Sequence, residues 1–123
     1  MARILPLSEG VFTIGHDKLF LPFDQEADEL NERSRGSLLV EIQPFLIELG
    51  NELILLDTGL GFANESGQLQ IHQNIRNCGY EPSDITKVLL SHLHKDHAGG
   101  VAFKDKKGKL QPSFPEALYY IYG

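Results

Sequence analysis

The sequence is poor in cysteine and in long apolar runs, and its 123 residues include a single cysteine, Cys78. One cysteine cannot form an internal disulfide, which favours a reducing, cytoplasmic compartment. A helix that crosses a bilayer needs about 20 consecutive apolar residues, and no run approaches that length. Residues 1–6 also lack the apolar core and cleavage site of a signal peptide. We therefore expect a cytoplasmic protein without a membrane partner, in which Cys78 is a buried, inert thiol.

Basic residues are outnumbered, with 11 Lys and Arg against 17 Asp and Glu and a formal net charge of −6. Because a nucleic-acid surface needs clustered basic side chains, this balance argues against a nucleic-acid partner. The one basic cluster surrounds Gly108 and is interpreted as a solvated hairpin tip or loop. It consists of Lys104, Lys106, Lys107 and Lys109. The composition is typical of a globular chain, and we expect a single domain over residues 1–123.

Strand patterns dominate the first half of the chain. Two short apolar stretches, residues 4–7 and 11–14, are separated by residues typical of turns. Residues 37–49 alternate with the period of two that is typical of strands, and Pro44 predicts a bend or edge within them. A Gly-Asn pair then predicts a tight hairpin to residues 52–56, which are apolar on both faces and are therefore predicted to form a central strand.

Residues 17–36 are acidic and show little periodicity. We interpret them as a surface loop, with one helical turn around residues 26–31. Loops of this length often act as lids or binding loops, and a solvated insertion is an equally good interpretation.

The second half combines one predicted helix with further strands. Apolar residues at helical spacing over residues 68–78, followed by Gly79, predict the helix. Residues 87–91 predict a short buried strand that leads directly into a cluster of histidines. Residues 98–103 are compatible with the start of a short helix, and the aromatic and β-branched residues at 117–122 predict a final strand.

Three histidines and an aspartate, His92, His94, Asp96 and His97, fall within six consecutive residues. Imidazole nitrogen and carboxylate oxygen together suit zinc, with Fe, Mn and Co as alternatives. A segment that passes from a strand end into a helix can aim its side chains in two directions. It can thus point His92 with His94 at one metal and Asp96 with His97 at another.

The two other histidines, His16 and His72, show no such pattern in their surroundings. We predict that each is a surface residue or a hydrogen-bonded core residue.

Residues 91–100, Ser-His-Leu-His-Lys-Asp-His-Ala-Gly-Gly, resemble the His-x-His-x-Asp-His signature of the metallo-β-lactamase superfamily. Residues 55–61 resemble the upstream Asp-Thr-Gly element of that family, and the order and separation of the two elements agree with it. The resemblance covers residues 37–103, and residues 114–122 are compatible with the strand that follows in the family. It implies an α/β fold (α+β in some schemes) that forms half of an αββα sandwich, with a mostly antiparallel or mixed sheet and flanking helices.

The resemblance also implies a role for each site residue. His92 and His94 would bind one zinc ion, and Asp96 and His97 would bind a second. Asp57 would accept a hydrogen bond from a ligand histidine and fix its orientation, although Asp-Thr-Gly by itself also suits a turn. A metal-activated water would then attack an ester, a lactone or a similar substrate, with Asp96 as the catalytic residue that handles a proton.

The chain departs from the family pattern after His97. The family draws two more histidines and a bridging aspartate from further along its chain, whereas residues 98–123 contain no histidine and only two acidic residues, Asp105 and Glu116. We therefore interpret the domain as truncated at its C-terminus, unless a second copy or another chain completes the site. The faces exposed by half a sandwich would favour homo-oligomers.

Within the family, the glycines after the histidines and after Asp57 are most similar to lactonase and phosphotriesterase-like members. Thioesterases of the glyoxalase II kind share much of this pattern. Many true β-lactamases have a different residue at the position of His97 and match less well. We expect a zinc-dependent hydrolase with a small ester or lactone as its substrate. The alternative is a catalytically inactive fragment, or a non-catalytic metal-binding or dimerisation module.

Overall fold

The computed structural model describes residues 2–15, 19–26, 28–29, 37–91 and 98–121. The elements in these ranges are β1 (Arg3–Pro6), β2 (Gly10–Ile14), β3 (Phe20–Pro22), β4 (Leu38–Ile42), β5 (Phe45–Leu49), β6 (Glu52–Leu56), α1 (Gln70–Asn77), β7 (Lys87–Leu90), β8 (Ala102–Lys104), β9 (Leu110–Pro112) and β10 (Leu118–Ile121). The chain divides into two compact units. The smaller is Gly10–Ile42, and the larger combines Met1–Glu9 with Gln43–Gly123.

The larger unit contains a mixed five-stranded sheet with the order β1-β5-β6-β7-β10 and a separate two-stranded sheet of β8 and β9. The β1–β5 and β5–β6 pairs are antiparallel, whereas the β6–β7 and β7–β10 pairs are parallel. The tight hairpin predicted at Gly50-Asn51 is confirmed, since Leu49 pairs with Glu52 across it. The central position predicted for residues 52–56 is confirmed too, because β6 lies between β5 and β7.

Helix α1 connects β6 to β7 and packs its apolar side onto the core. Ile71 and Ile75 are fully buried, four residues apart on one helical face. The helix ends at Asn77 with Cys78 as its C-cap, and Gly79, the next residue, has a φ of 90°. The N–H of Gly79 donates to the carbonyl of Arg76, and that of Tyr80 donates to the carbonyl of Ile75. This is the Schellman arrangement that glycine favours. The buried core cluster consists of Leu7, Leu46, Leu55, Leu69, Ile71, Ile75, Ile85, Val88, Leu90 and Phe114.

The chain after the histidine cluster contains the short helix with which its sequence is compatible. Gly99–Val101 form one 3₁₀ turn, and the chain then extends into β8. The two consecutive glycines help to keep the helix short, because glycine disfavours helix interiors. The hairpin tip predicted around Gly108 is confirmed between β8 and β9. Cys78 is half-buried and packs against the core at the end of α1.

The smaller unit is a three-stranded antiparallel sheet with the order β3-β2-β4. Its strand β3 corrects the interpretation of residues 17–36 as a loop without strands. The remainder of that stretch is described only at residues 19–26 and 28–29. No helix in the described ranges is long and apolar enough to cross a membrane.

Candidate metal centre

Two parallel strands end side by side where the sequence predicts the metal site. β6 ends at Leu56 and is followed by Asp57, and β7 ends at Leu90 and is followed by Ser91. Because β6 and β7 are parallel, their carboxyl ends lie at the same edge of the sheet, where sites in such sheets commonly form. The N–H of Asp57 donates to the carbonyl of Leu89 at 2.8 Å and extends the pairing beyond the strands.

Asp57 opens a turn over residues 57–61, which we call the exit turn. Oδ1 of Asp57 accepts the backbone N–H of Ser91 at 2.8 Å, and the hydroxyl of Ser91 lies 2.9 Å from both carboxylate oxygens. Asp57 has a φ of 66°, a left-handed conformation that aspartate tolerates better than most residues. Its carboxylate therefore holds the residue that immediately precedes His92.

Glycine backbone joins the exit turn to the segment that follows the histidines. Gly59 forms a parallel β-bridge with Ala98. A Cβ atom on Gly61 would lie 2.1 Å from the carbonyl oxygen of Gly99, and a Cβ atom on Gly99 would lie 2.1 Å from that of Leu60. No other residue fits this approach, since real Cβ atoms do not come so close to backbone oxygen. The histidine segment, residues 92–97, is thus flanked on both sides by residues that contact the exit turn: Ser91 before it, and Ala98 and Gly99 after it.

The predicted ligands His92, His94, Asp96 and His97 lie outside the described residues. Within the described ranges, no group of three or more His, Cys, Asp or Glu side chains forms a metal site. The donor set nonetheless fits zinc by its chemistry, because three imidazoles and a carboxylate are ligands that zinc prefers. Asp57, whose carboxylate contacts the residue before His92, is of the residue type that commonly orients a ligand imidazole.

The part of the chain that carries the exit turn and the histidine segment decides the family. The model of the metallo-beta-lactamase superfamily matches residues 41–111, which is more than half of the chain and includes the exit turn and the histidine segment. The chain belongs to the metallo-β-lactamase superfamily. This confirms the resemblance on which the sequence prediction was based.

Similar proteins of this superfamily include lactonases and hydrolases. The N-acyl homoserine lactonase AiiB of Rhizobium rhizogenes is 31% identical over 102 residues, which cover 67% of this chain and 37% of the relative. The structure of AidC, a dizinc quorum-quenching lactonase, matches 96% of this chain and 40% of its own with a TM-score of 0.64 at 31% identity. The structure of the hydrolase AbOPH matches 97% of this chain and 40% of its own, with a TM-score of 0.65 at 27% identity.

These matches confirm the predicted fold class, a sheet-rich α/β fold of the metallo-β-lactamase type with mixed and antiparallel sheets. The chain spans about two fifths of the length of the relatives that it matches.

The other residues singled out in the sequence fall into two groups. His72 is buried in α1, and its Nε2 donates to the carbonyl of Ser113 at 2.7 Å. It makes edge-on ring contacts with Phe103 and Phe114, so the prediction of a hydrogen-bonded core histidine is confirmed. His16 lies outside the described residues.

The contributions of Ser91 and Glu9 are not among the sequence predictions. For Ser91, a short polar side chain directly before the ligand cluster is the available signal. Glu9 lies in the turn predicted between the first two strands. In the structure it is buried against the exit turn, where Oε1 accepts the N–H of Leu60 at 2.8 Å. Nothing in the sequence around Glu9 predicts its contact with Leu60, which lies 51 residues further along the chain.

Proposed function

We propose that this chain provides metal ligands of a zinc-dependent hydrolase whose substrate is a lactone or another small ester. Its membership of the metallo-β-lactamase superfamily carries the proposal, because the matched region contains both the exit turn and the histidine segment. The similarity to N-acyl homoserine lactonases and to a dizinc lactonase supports the substrate class and the metal. Fe, Mn and Co remain alternatives to zinc, since they accept the same donors.

The proposed ligands form two pairs, His92 with His94 and Asp96 with His97. When bound, zinc would lower the pKa of water and polarise the carbonyl of the substrate. Asp57 would accept a hydrogen bond from a ligand imidazole and so select its tautomer. Its position supports this role, because it already holds the backbone and the hydroxyl of the adjacent Ser91. Asp96 is the group that we propose to handle a proton.

Metal content is the first test of this proposal. Protein purified without chelator is expected to retain zinc, measured by elemental analysis, and His94→Ala is expected to lose it. His16→Ala serves as the matched control, because His16 lies outside the proposed ligand set. Retention of the same zinc content by His94→Ala would contradict the ligand assignment.

Ring opening of an N-acyl homoserine lactone then tests the substrate class. Water adds to the ester carbonyl, the bond to the ring oxygen breaks, and each turnover releases one proton from the new carboxylic acid. A pH indicator in weak buffer follows this proton. A β-lactam and a phosphotriester serve as comparison substrates. Turnover of either one in preference to the lactone would overturn the lactone assignment and keep the hydrolase.

A second candidate function is a non-catalytic metal-binding or dimerisation module. The cluster offers four ligands, the number that a structural zinc site uses, and this favours the candidate. This candidate predicts zinc binding without hydrolysis and a mass in sedimentation that doubles when zinc is added. Hydrolysis lost in His94→Ala would exclude it.

A further inference from the structure

Glu9 occupies a backbone segment that is fixed at several points. Two residues before it lies Leu7, whose N–H donates to the carbonyl of Pro44 at 2.8 Å. The side-chain amide of Asn74, on α1, donates to the carbonyls of Leu7 at 3.3 Å and Ser8 at 3.1 Å. Glu9 is only 8% exposed. Its carboxyl group is therefore held in one place within the larger unit.

The carboxyl group of Glu9 fills the space in which a side chain of residue 59 would lie. A Cβ atom on Gly59 would be 2.2 to 2.5 Å from the carboxyl atoms of Glu9. Gly59 has a φ of 76°, so both its conformation and its neighbour require glycine. Oε1 accepts the N–H of Leu60 at 2.8 Å. Glu9 thus contacts two consecutive residues of the exit turn.

The same turn residues contact the segment after the histidines. Gly59 bridges to Ala98, and the carbonyl of Leu60 lies against Gly99. A shift of the turn at Gly59 or Leu60 would displace Ala98, the residue that directly follows His97. Glu9 is therefore coupled to Ala98 and Gly99 through the exit turn, whose contacts with these two residues are close backbone contacts that do not yield easily.

The second carboxyl oxygen of Glu9 has no explanation in packing alone. Oε2 is buried and has no hydrogen-bond partner within the described part of the chain. Burial raises the pKa of Glu9 to about 7, and the hydrogen bond from Leu60 opposes that rise. An apolar side chain would avoid this cost of desolvation. A carboxyl group at this position is thus unfavourable for stability and calls for another role.

We propose that Glu9 is a positioning residue of the metal site, whose carboxyl group holds the exit turn and, through it, Ala98 and Gly99, the residues that directly follow the histidines. This inference rests on the proposed function. It concerns a residue outside the motif that places the chain in its family. Glu9 does not touch the metal or the substrate in this role, and it acts through Gly59 and Leu60.

Binding of Co²⁺ to the metal-free protein tests the role, with affinity measured by chelator competition and ligand geometry by the visible spectrum of the bound ion. Glu9→Gln keeps an oxygen that can accept the Leu60 N–H, and it should bind Co²⁺ within about threefold of the wild type. Glu9→Ala and the shorter Glu9→Asp lose that contact and should bind at least about tenfold more weakly, with an altered spectrum. Glu65→Ala, at an exposed glutamate, is the matched control.

The outcomes separate this inference from the proposed function. Wild-type Co²⁺ affinity and spectrum in a folded Glu9→Ala or Glu9→Asp protein would overturn the role of Glu9 and leave the metal site standing. Weak Co²⁺ binding by Glu9→Gln would also overturn it, because the hydrogen bond from Leu60 would then not explain the effect of Glu9 on metal binding. Absence of Co²⁺ binding by the wild type would overturn the proposed function, and this inference with it.

Discussion

Burial disfavours the charged form of two side chains, Glu9 and His72, and so makes stability depend on pH. It raises the pKa of Glu9 to about 7 and lowers the pKa of His72, in each case against an opposing hydrogen bond. The signs of the two effects on stability are opposite. The protonated form of Glu9 is lost as the pH rises through its folded pKa, whereas the neutral form of His72 is lost as the pH falls.

Replacement of Glu9 by glutamine should remove the part of the pH dependence of stability that Glu9 causes. The unfolded carboxyl group ionises near its ordinary pKa of 4.5 and the folded one near 7, so the free energy of unfolding falls as the pH rises between those values. We expect the stability of Glu9→Gln relative to the wild type to increase by about 1–3 kcal/mol between pH 5 and pH 8. Urea unfolding at both pH values measures this. An equal difference at the two pH values would contradict it.

Replacement of His72 by phenylalanine should act in the other direction. The variant loses the donor to the Ser113 carbonyl, so we expect a loss of about 1–3 kcal/mol at pH 8. The wild type should lose stability as the pH falls below the ordinary histidine pKa of 6.5, because the unfolded chain then binds the additional proton. Thermal unfolding at pH 8 and at pH 5.5 should show a smaller acid-induced loss for His72→Phe than for the wild type.

Asp57 is predicted to influence metal affinity without binding the metal. Asparagine tolerates the same left-handed backbone but carries no charge, so Asp57→Asn should fold and bind zinc about 10- to 100-fold more weakly. Chelator competition measures this affinity. Asp84→Asn is the control, since Asp84 is a surface carboxylate that accepts one backbone N–H, from Glu81. Unchanged affinity in Asp57→Asn would remove Asp57 from the site.

At the scale of elements, local patterns predicted α1, the Gly50-Asn51 hairpin and the central strand β6. Each of these depends on residues that are close in sequence. Strand β3 was missed because its three residues, Phe20–Pro22, include a proline and adjoin an acidic stretch. The contact of Glu9 with Leu60 joins residues 51 positions apart, and no local pattern encodes it. The histidine cluster is predictable from the sequence because its four ligands fall within six consecutive residues.

The close approach of Gly61 to the backbone of Gly99 gives a prediction about stability. Gly61 and Gly67 have nearly equal φ values, 84° and 82°, so alanine suffers a similar conformational penalty of about 1 kcal/mol at either position. Of these two glycines, Gly61 faces the backbone of Gly99, whereas nothing lies within 4 Å of a Cβ atom at Gly67. We expect Gly61→Ala to cost about 1–3 kcal/mol more than Gly67→Ala in urea unfolding. Equal costs would mean that the backbone contact gives way easily.

At the scale of the whole molecule, the described sheet ends in an apolar edge. β10 pairs with β7, and its side chains are exposed, with Leu118 at 63% and Ile121 at 57%. Exposed apolar residues on an edge strand favour association with another chain. The sequence prediction of a homo-oligomer stays a prediction, and this edge is where we expect it to form.

Sedimentation velocity at several protein concentrations tests that expectation. The wild type should associate as its concentration rises, and the double variant Leu118→Lys/Ile121→Lys should remain monomeric because lysine disfavours edge pairing. Leu49→Lys is the control, since Leu49 is 50% exposed at the β5–β6 turn. Association that persists in the double variant and disappears in the control would place the interface elsewhere.

The pairing of the exit turn with the segment after the histidines also sets an order for folding. Gly59 and Ala98 are about 40 residues apart in the chain, and contacts of such separation form late because closing the intervening loop is entropically costly. The loop includes α1 and β7, and we expect both to form before Ala98 pairs with Gly59. Tight metal binding would then be acquired late in folding, only as the last contacts of the sheet close.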